Sequence, residues 1–329
     1  MSLVAAILVD WGTSNLRLWA AAPDGRILAE KKSAAGMRTL ERSQFKAKFD
    51  ELINGLSGDL DGVPVVMCGM VGSRQGWVEA PYENTSAAFD DILHSAKRID
   101  EIIERDVRIL PGVAKLDATV PDVMRSEETQ LMGLLALGHI DRTAGEVLVC
   151  MPGTHAKWAI VDNDQIKDFH TAMTGELIAA VVGNTVLRHS FDPVGSLPDV
   201  APDSVIFLDA VDHMLKRPAG VLNALFATRP RSLLGGADTH ESAAWLSGTI
   251  IGHDIAAATT DPTGAQKVIL LGGGKQGPLY EAALRRAGVE PIDADSDEAS
   301  IAGLLKAACA FWPTRFEERV GGAMELSID

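Results

Sequence analysis

Short apolar runs, broken by turn residues, open the chain. Residues 5–10, 16–22 and 26–33 read as three strands, with Pro23-Asp24-Gly25 as the second turn. Phe45, Phe49, Leu52, Ile53 and Leu56 then recur at helical spacing, which predicts an amphipathic helix over residues 43–56. Residues 63–70 are almost continuously apolar, as expected of a strand buried on both faces, and lead into the glycine-rich loop GMVGSRQGW, residues 69–77. A helix is expected over residues 92–104, a short strand over 107–110 stopped by Pro111-Gly112, and an inter-domain crossing over 114–123. Ser126, followed by Glu127, Glu128 and the apolar run 131–137, has the form of a helix start with a serine N-cap and acids in the first turn.

The opening pattern then repeats. Strands are predicted over residues 146–150, 157–161 and 165–172, with Asp162-Asn163-Asp164 as the acidic turn. Gly12-Thr13 falls on Gly153-Thr154 at an offset of 141 residues, and the third strands end at Ala35-Gly36 and at Thr174-Gly175. A repeat of this kind sets the architecture, so two related halves are expected, with limits near residues 1–120 and 121–312. The second half continues with helices over 175–189 and 241–259 and a helical, proline-punctuated region over 203–225. A strand over 267–271, the loop GGGKQG at 272–277, a helix over 278–287, a strand over 289–292 and a helix over 297–311 follow. The tail, 313–329, carries weak signals and is expected to be loosely ordered.

Composition narrows the class. A chain of 329 residues, 47% hydrophobic, with a mean hydropathy of +0.10, suits a globular α/β protein of two domains. The net charge of −15 argues against nucleic-acid or anionic-membrane partners, which need a basic face. Cys68, Cys150 and Cys309 each lie in an apolar run without metal-binding spacing, and they read as reduced packing residues. With neither a signal-peptide pattern nor a membrane-length apolar run, a cytoplasmic protein is expected. Oligomeric state is left open, with a homodimer as one option.

The candidate chemistry lies in the turns. Asp10 ends the first strand and precedes Gly12, Thr13, Ser14 and Asn15, small residues whose hydroxyls, amide and backbone N–H groups suit phosphate oxygens. A carboxylate beside them suits Mg²⁺. Ordinary turn formation accounts for the same residues, so the second copy matters. Gly153 and Thr154 offer another set of donors, with Lys157 adding charge; Met151 stands where the first copy has Asp10, so the metal is assigned to the first half. His155 reads either as a catalytic group or as a hydrogen-bonding residue of the loop. Two such loops imply a ligand between the halves. Gly272, Gly274 and Gly277 match G-x-G-x-x-G, with Asp293 and Asp295 further on, which raises an NAD-dependent oxidoreductase as an alternative. Only about 34 residues follow Asp295, too few for a dinucleotide fold, and Gly272, Gly273 and Gly274 suit close approach of a nucleotide's adenosine instead. Phosphoryl transfer to a hydroxyl needs a carboxylate near the acceptor, and Glu127 and Glu128 are the candidates. Arg74 and Arg125 could bind the carboxylate of an acidic substrate.

Together these motifs resemble the sugar-kinase/Hsp70/actin superfamily and, within it, the 2-dehydro-3-deoxygalactonokinase family. The similarity is carried by VDWGTSNLRLW (9–19), MCGMVGSRQGW (67–77), MRSEETQLMG (124–133), VCMPGTHAKW (149–158) and MTGEL (173–177), and extends over most of residues 5–312. The chain departs from the family pattern at Ser126, where glycine is common. The resemblance implies two duplicated ribonuclease-H-like domains with five-stranded mixed sheets and a nucleotide cleft between them. It implies an ATP- and Mg²⁺-dependent kinase acting on the 6-hydroxyl of a 2-keto-3-deoxy sugar acid, with the sugar acid near Arg17, Gly69, Met70, Arg74 and Arg125. The EETQ stretch is also similar to that of exopolyphosphatases of the same superfamily, where a glutamate acts as base. That favours Glu127, with Glu128 not excluded, and leaves a phosphatase-like hydrolase as a second alternative.

Overall fold

A computed structural model describes residues 4–56, 59–116, 119–141, 145–259 and 267–316. The chain divides into two compact units: Met1–Gly145 with Val161–Asp168 and Ser296–Asp329, and Glu146–Ile160 with Phe169–Asp295. These limits differ from the expected 1–120 and 121–312, because the helix after Ser126 and the last helix both belong to the first unit.

The first unit begins with β1 (Ala6–Trp11), β2 (Leu16–Ala21), β3 (Ile27–Ser33), α1 (Phe45–Asn54) and β4 (Val65–Cys68). It continues through β5 (Tyr82–Asn84), β6 (Ala87–Ala88), α2 (Phe89–His94), β7 (Lys97–Arg98), β8 (Val107–Ile109), β9 (Gly112–Ala114), β10 (Val123–Met124) and α3 (Glu127–Ala136). The chain then forms β11 (Glu146–Met151), β12 (Ala156–Asp162), β13 (Gln165–Ala172), α4 (Thr174–Asn184), α5 (Val205–Lys216), α6 (Val221–Gly235) and α7 (Thr239–Thr259). After β14 (Val268–Gly272), α8 (Gly277–Arg286) and β15 (Pro291–Asp295), α9 (Ser296–Phe311) returns to the first unit.

The sheets carry the duplication. One has the order β3-β2-β1-β4-β8-β7 and another β15-β14-β11-β12-β13-β6. Stripped of the two-residue strands β7 and β6, each is a five-stranded sheet with the same chain order. In both, the first strand of the half pairs in parallel with the fourth, which pairs in parallel with the fifth. The sixth strands are the difference from expectation: β7 adds to β8, and β6 pairs with residues 165–166 of β13. A smaller sheet has the order β10-β9-β5.

Elements fall where the apolar pattern puts them, with exceptions. The helix expected over 92–104 stops at His94, because Lys97 and Arg98 take an edge position against β8. The region 203–225 is broken at Pro218 into α5 and α6, and the helix expected over 175–189 ends at Asn184, followed by a short 3-10 turn. Most of the 313–329 tail lies outside the described residues. The core of the first unit centres on Trp11, Phe45, Phe49 and Trp77, with the Trp11 and Phe45 rings 5.1 Å apart. Trp77 thereby anchors the far end of the 69–77 loop. The core of the second unit gathers Trp158, Phe207 and Tyr280 among aliphatic residues.

Candidate active site

Asp10 is the penultimate residue of β1 and is buried, with 7% of its surface exposed. Arg17 faces it across the β1–β2 pair and donates to its Oδ2 at 2.6 Å. The other Arg17 nitrogen donates to Asp297, in the first turn of α9. The Ser126 hydroxyl donates to Asp10 Oδ1 at 3.3 Å, and Cys68 Sγ lies 3.6 Å from Ser126 Oγ. Gly69 crosses the end of β1 with φ of +97°; a Cβ there would stand 2.7 Å from the Trp11 carbonyl oxygen and 3.3 Å from Asp10 Oδ1. Only glycine permits both this φ and this approach. The first unit thus brings together Asp10, Arg17, Gly69 and Ser126. Arg17 was expected beside the substrate; its guanidinium is engaged by two carboxylates.

Ser126 takes the expected N-cap position, with both acids in the first turn of α3, but the cap bond is not the ordinary one. Its φ is +107°, and its side chain makes no cap hydrogen bond. The cap runs the other way: its backbone N–H donates to Glu128, at 2.8 Å to Oε2, and the Arg125 N–H donates to Glu127 Oε2 at 2.9 Å. A positive φ explains why glycine suits this position. The two glutamates now differ. Glu128 is fully buried, also accepts the Thr129 hydroxyl at 3.0 Å, and burial, reinforced by the charge of Glu127, pushes its carboxyl up to about 8. Glu127 is only half-buried.

Arg125 is buried and packs its guanidinium over the Tyr82 ring at 4.2 Å, with Nη2 donating to the Ala80 carbonyl at 3.0 Å. Its Nη1 lies 3.0 Å from where a Cβ of Gly72 would be, so it clamps the 69–77 loop. Arg74 is exposed and Met70 half-buried; the Arg74 carbonyl accepts from Arg42 at 2.6 Å.

The two glycine-threonine loops are built alike. The N–H groups of Met37 and Arg38 donate to the carbonyls of Gly12 and Thr13, each at 3.0 Å. Those of Gly175 and Glu176 donate to Gly153 and Thr154, at 3.3 and 3.0 Å. In each half a glycine lies against the loop. A Cβ on Gly36 would meet the Ser14 backbone at 2.3 Å, and one on Gly175 would meet the Gly153 oxygen at 2.8 Å. Thr13, Ser14 and Asn15 are exposed, as are Thr154 and His155. His155 Nε2 lies 2.6 Å from Glu176 Oε2, in the first turn of α4. Lys157 is buried, and its Nζ donates to the His155 carbonyl at 3.3 Å, so it braces the loop from behind.

Within the second unit, Gly153, Thr154 and Gly175 share a depression of roughly 320 Å³ with Gly273, Gly274, Lys275 and Gln276. The 272–277 loop and the second glycine-threonine loop therefore form one site. A neighbouring depression of roughly 400 Å³ lies between the ends of β14 and β15 and the start of α8, with Glu281, Asp293 and Asp295 on its wall. Burial, with Glu281 alongside, raises the Asp293 carboxyl above the usual range.

Three participants escaped the sequence reading: Asp297, Glu176 and Asp254. Glu176 lies within the MTGEL stretch, a usable signal; Asp297 and Asp254 take hydrogen bonds from donors distant in sequence. Among the described residues no group of three or more His, Cys, Asp or Glu side chains could hold a metal ion. A nucleotide-borne Mg²⁺ does not need one, since it takes one or two carboxylates along with phosphate oxygens and waters. Asp10, at the end of a strand beside the exposed 13–15 loop, fits that requirement.

A model of the 2-keto-3-deoxy-galactonokinase family matches residues 10–307. A protein of Rhizobium meliloti (strain 1021) assigned as a 2-dehydro-3-deoxygalactonokinase is 44% identical over 305 residues, covering 93% of this chain and 97% of its own. The 2-dehydro-3-deoxygalactonokinase of Escherichia coli (strain K12) is 33% identical over 304 residues, with 92% and 97% covered. A Sinorhizobium meliloti crystal structure with the same assignment has a TM-score of 0.88 at 42% identity, over 94% of this chain and 99% of that one. Neither the oxidoreductase nor the hydrolase alternative is favoured by these matches. With its duplicated sheets, its paired glycine-threonine loops and a family match over nearly its whole length, the chain belongs to the 2-keto-3-deoxy-galactonokinase family.

Proposed function

We propose that the chain transfers the γ-phosphoryl group of ATP to the 6-hydroxyl of 2-dehydro-3-deoxy-D-galactonate, a step of galactonate catabolism. The observation that carries this reading is the family match over residues 10–307, joined to two phosphate-type loops of the same construction. In the second unit, Gly153 and Thr154 hold nucleotide phosphates, and the backbone of Gly272, Gly273 and Gly274 approaches the adenosine. In the first unit, Gly12, Thr13, Ser14 and Asn15 supply further phosphate donors, and Asp10 would hold a nucleotide-borne Mg²⁺. When bound, the metal neutralises charge on the phosphate oxygens. Arg17 and Ser126 fix the Asp10 carboxylate. The sugar acid lies against the 69–74 loop.

Glu127 is the base. It is the accessible one of the pair, whereas Glu128 is buried and held largely neutral near pH 7. As the 6-oxygen bonds to the γ-phosphorus, the bond to the β-phosphate oxygen breaks, ADP leaves, and the hydroxyl proton passes to Glu127. Three free cysteines support a reducing, cytoplasmic setting, and no helix among the described residues is long and apolar enough to cross a membrane.

A coupled ADP-release assay tests the reading. Release that depends on the sugar acid supports it. Phosphate release from ATP or polyphosphate without any acceptor would replace it with a hydrolase.

A further inference from the structure

Asp254, on α7, lines none of the depression formed by the 153–154 and 273–276 loops, yet it is tied to every segment that does. It is almost fully buried, with 4% exposed. The Trp158 indole donates to its Oδ1 at 3.0 Å. The Thr174 hydroxyl donates to its Oδ2 at 3.1 Å, and the Tyr280 hydroxyl meets the same oxygen. Tyr280 and Thr174 lie 3.2 Å apart through their hydroxyl oxygens. Each donor sits close in sequence to a lining residue. Trp158 stands on the strand that leaves Thr154, Thr174 immediately precedes Gly175, and the Tyr280 N–H donates to the Gln276 carbonyl at 3.0 Å.

A carboxylate in the interior is costly unless its oxygens are satisfied, and three neutral donors meet these two oxygens. The arrangement fixes relative position, because one small group sets the register of β12, α4 and α8. Thr174 matters most. It opens α4, whose next two N–H groups hold the carbonyls of Gly153 and Thr154. A shift of α4 would move the whole loop.

We infer that Asp254, acting through Thr174 and Tyr280, is a positioning residue that sets the geometry of the nucleotide-phosphate depression. The inference rests on the proposed nucleotide role of the Gly153–Thr154 loop. Phosphate binding by backbone donors is sensitive to displacements of about 1 Å, so loosening the hub should appear in nucleotide affinity before sugar-acid affinity.

The test is calorimetric titration of ADP, with steady-state KM values for ATP and the sugar acid, on Thr174→Val, Thr174→Ser, Tyr280→Phe and Asp254→Asn. Thr174→Val and Tyr280→Phe should weaken ADP binding and raise KM for ATP by about tenfold, with the sugar-acid KM within about twofold of the parent. Thr174→Ser, which keeps the hydroxyl, should bind like the parent. Asp254→Asn should be the weakest binder; should it not fold, the Thr174 pair and Tyr280→Phe decide. Parent-like ADP affinity in Thr174→Val and Tyr280→Phe would overturn the inference, as would a lowered melting temperature in those variants without any change in affinity. A parent protein that binds no adenine nucleotide overturns the proposed function itself, and is distinguished by that control.

Discussion

Asp10 sits where a guanidinium and a hydroxyl converge, with Gly69 packed so closely that a Cβ there would stand 3.3 Å from its Oδ1. Such an arrangement orients a carboxylate before any ligand arrives. The adjoining glutamates divide the remaining work by burial. Glu127→Gln removes the proposed proton acceptor and leaves the two glycine-threonine loops untouched. Turnover should fall by about 10²–10⁴-fold while ADP binding stays at the parent value, as read by single-turnover kinetics and calorimetry. Glu128→Gln should behave differently. The Glu128 carboxyl is raised from 4.5 to about 8 in the folded protein, so the folded state holds a proton that the unfolded state releases. Its contribution to stability is complete below about pH 4.5 and is lost as pH climbs through about 8. Urea unfolding across this window should show the parent losing stability with rising pH, and Glu128→Gln with a flatter profile.

Helices α3 and α9 meet more closely than side chains allow. A Cβ on Gly133 would lie 1.9 Å from the Ala299 oxygen, and one on Gly303 would lie 1.9 Å from the Thr129 oxygen. The Gln130 amide donates to Ser300 at 3.1 Å across the same face. Through α3 this contact supports Glu127 and Glu128; through Asp297, α9 also holds Arg17 and hence Asp10. Gly303→Ala must push the helices apart, because the obstacle is backbone. A loss of about 1–3 kcal/mol is expected in denaturant unfolding, along with a drop in kcat that the remote position would not otherwise explain. The beginnings of this contact are visible in the sequence as glycines inside helical patterns. Their partner is not visible, since the two glycines are 170 residues apart.

At the scale of the whole molecule, the chain order and the spatial units disagree. The second unit is interrupted at residues 161–168, and the first is completed only by residues 296 onward. α9 packs against β1, β4 and α3. A chain ending at Asp295 should therefore lose the first unit, though β15 closes the second. Limited proteolysis should find residues 1–145 cut rapidly and residues 169–295 protected, while a truncated chain as resistant as the full one throughout would contradict the division.

The sequence alone determined the elements and the repeat. Apolar spacing marks most of the strands and helices, and glycine beside threonine at the end of a strand marks both of the similarly built loops, because these depend on neighbours a few positions away. Local signals of this kind place the cap at Ser126 without showing that its side chain makes no cap bond, and they predict too long a helix after Ile92, where edge pairing prevailed. Tertiary structure decided everything that depends on burial or on partners remote in the chain. Glu127 and Glu128 are adjacent and chemically identical, and only packing leaves one accessible and raises the carboxyl of the other to about 8. The resemblance puts Arg17 near the substrate, and only the fold brings Asp297, 280 residues later, onto its guanidinium. Asp254 had no motif at all; its role comes from three donors brought to it by β12, α4 and α8.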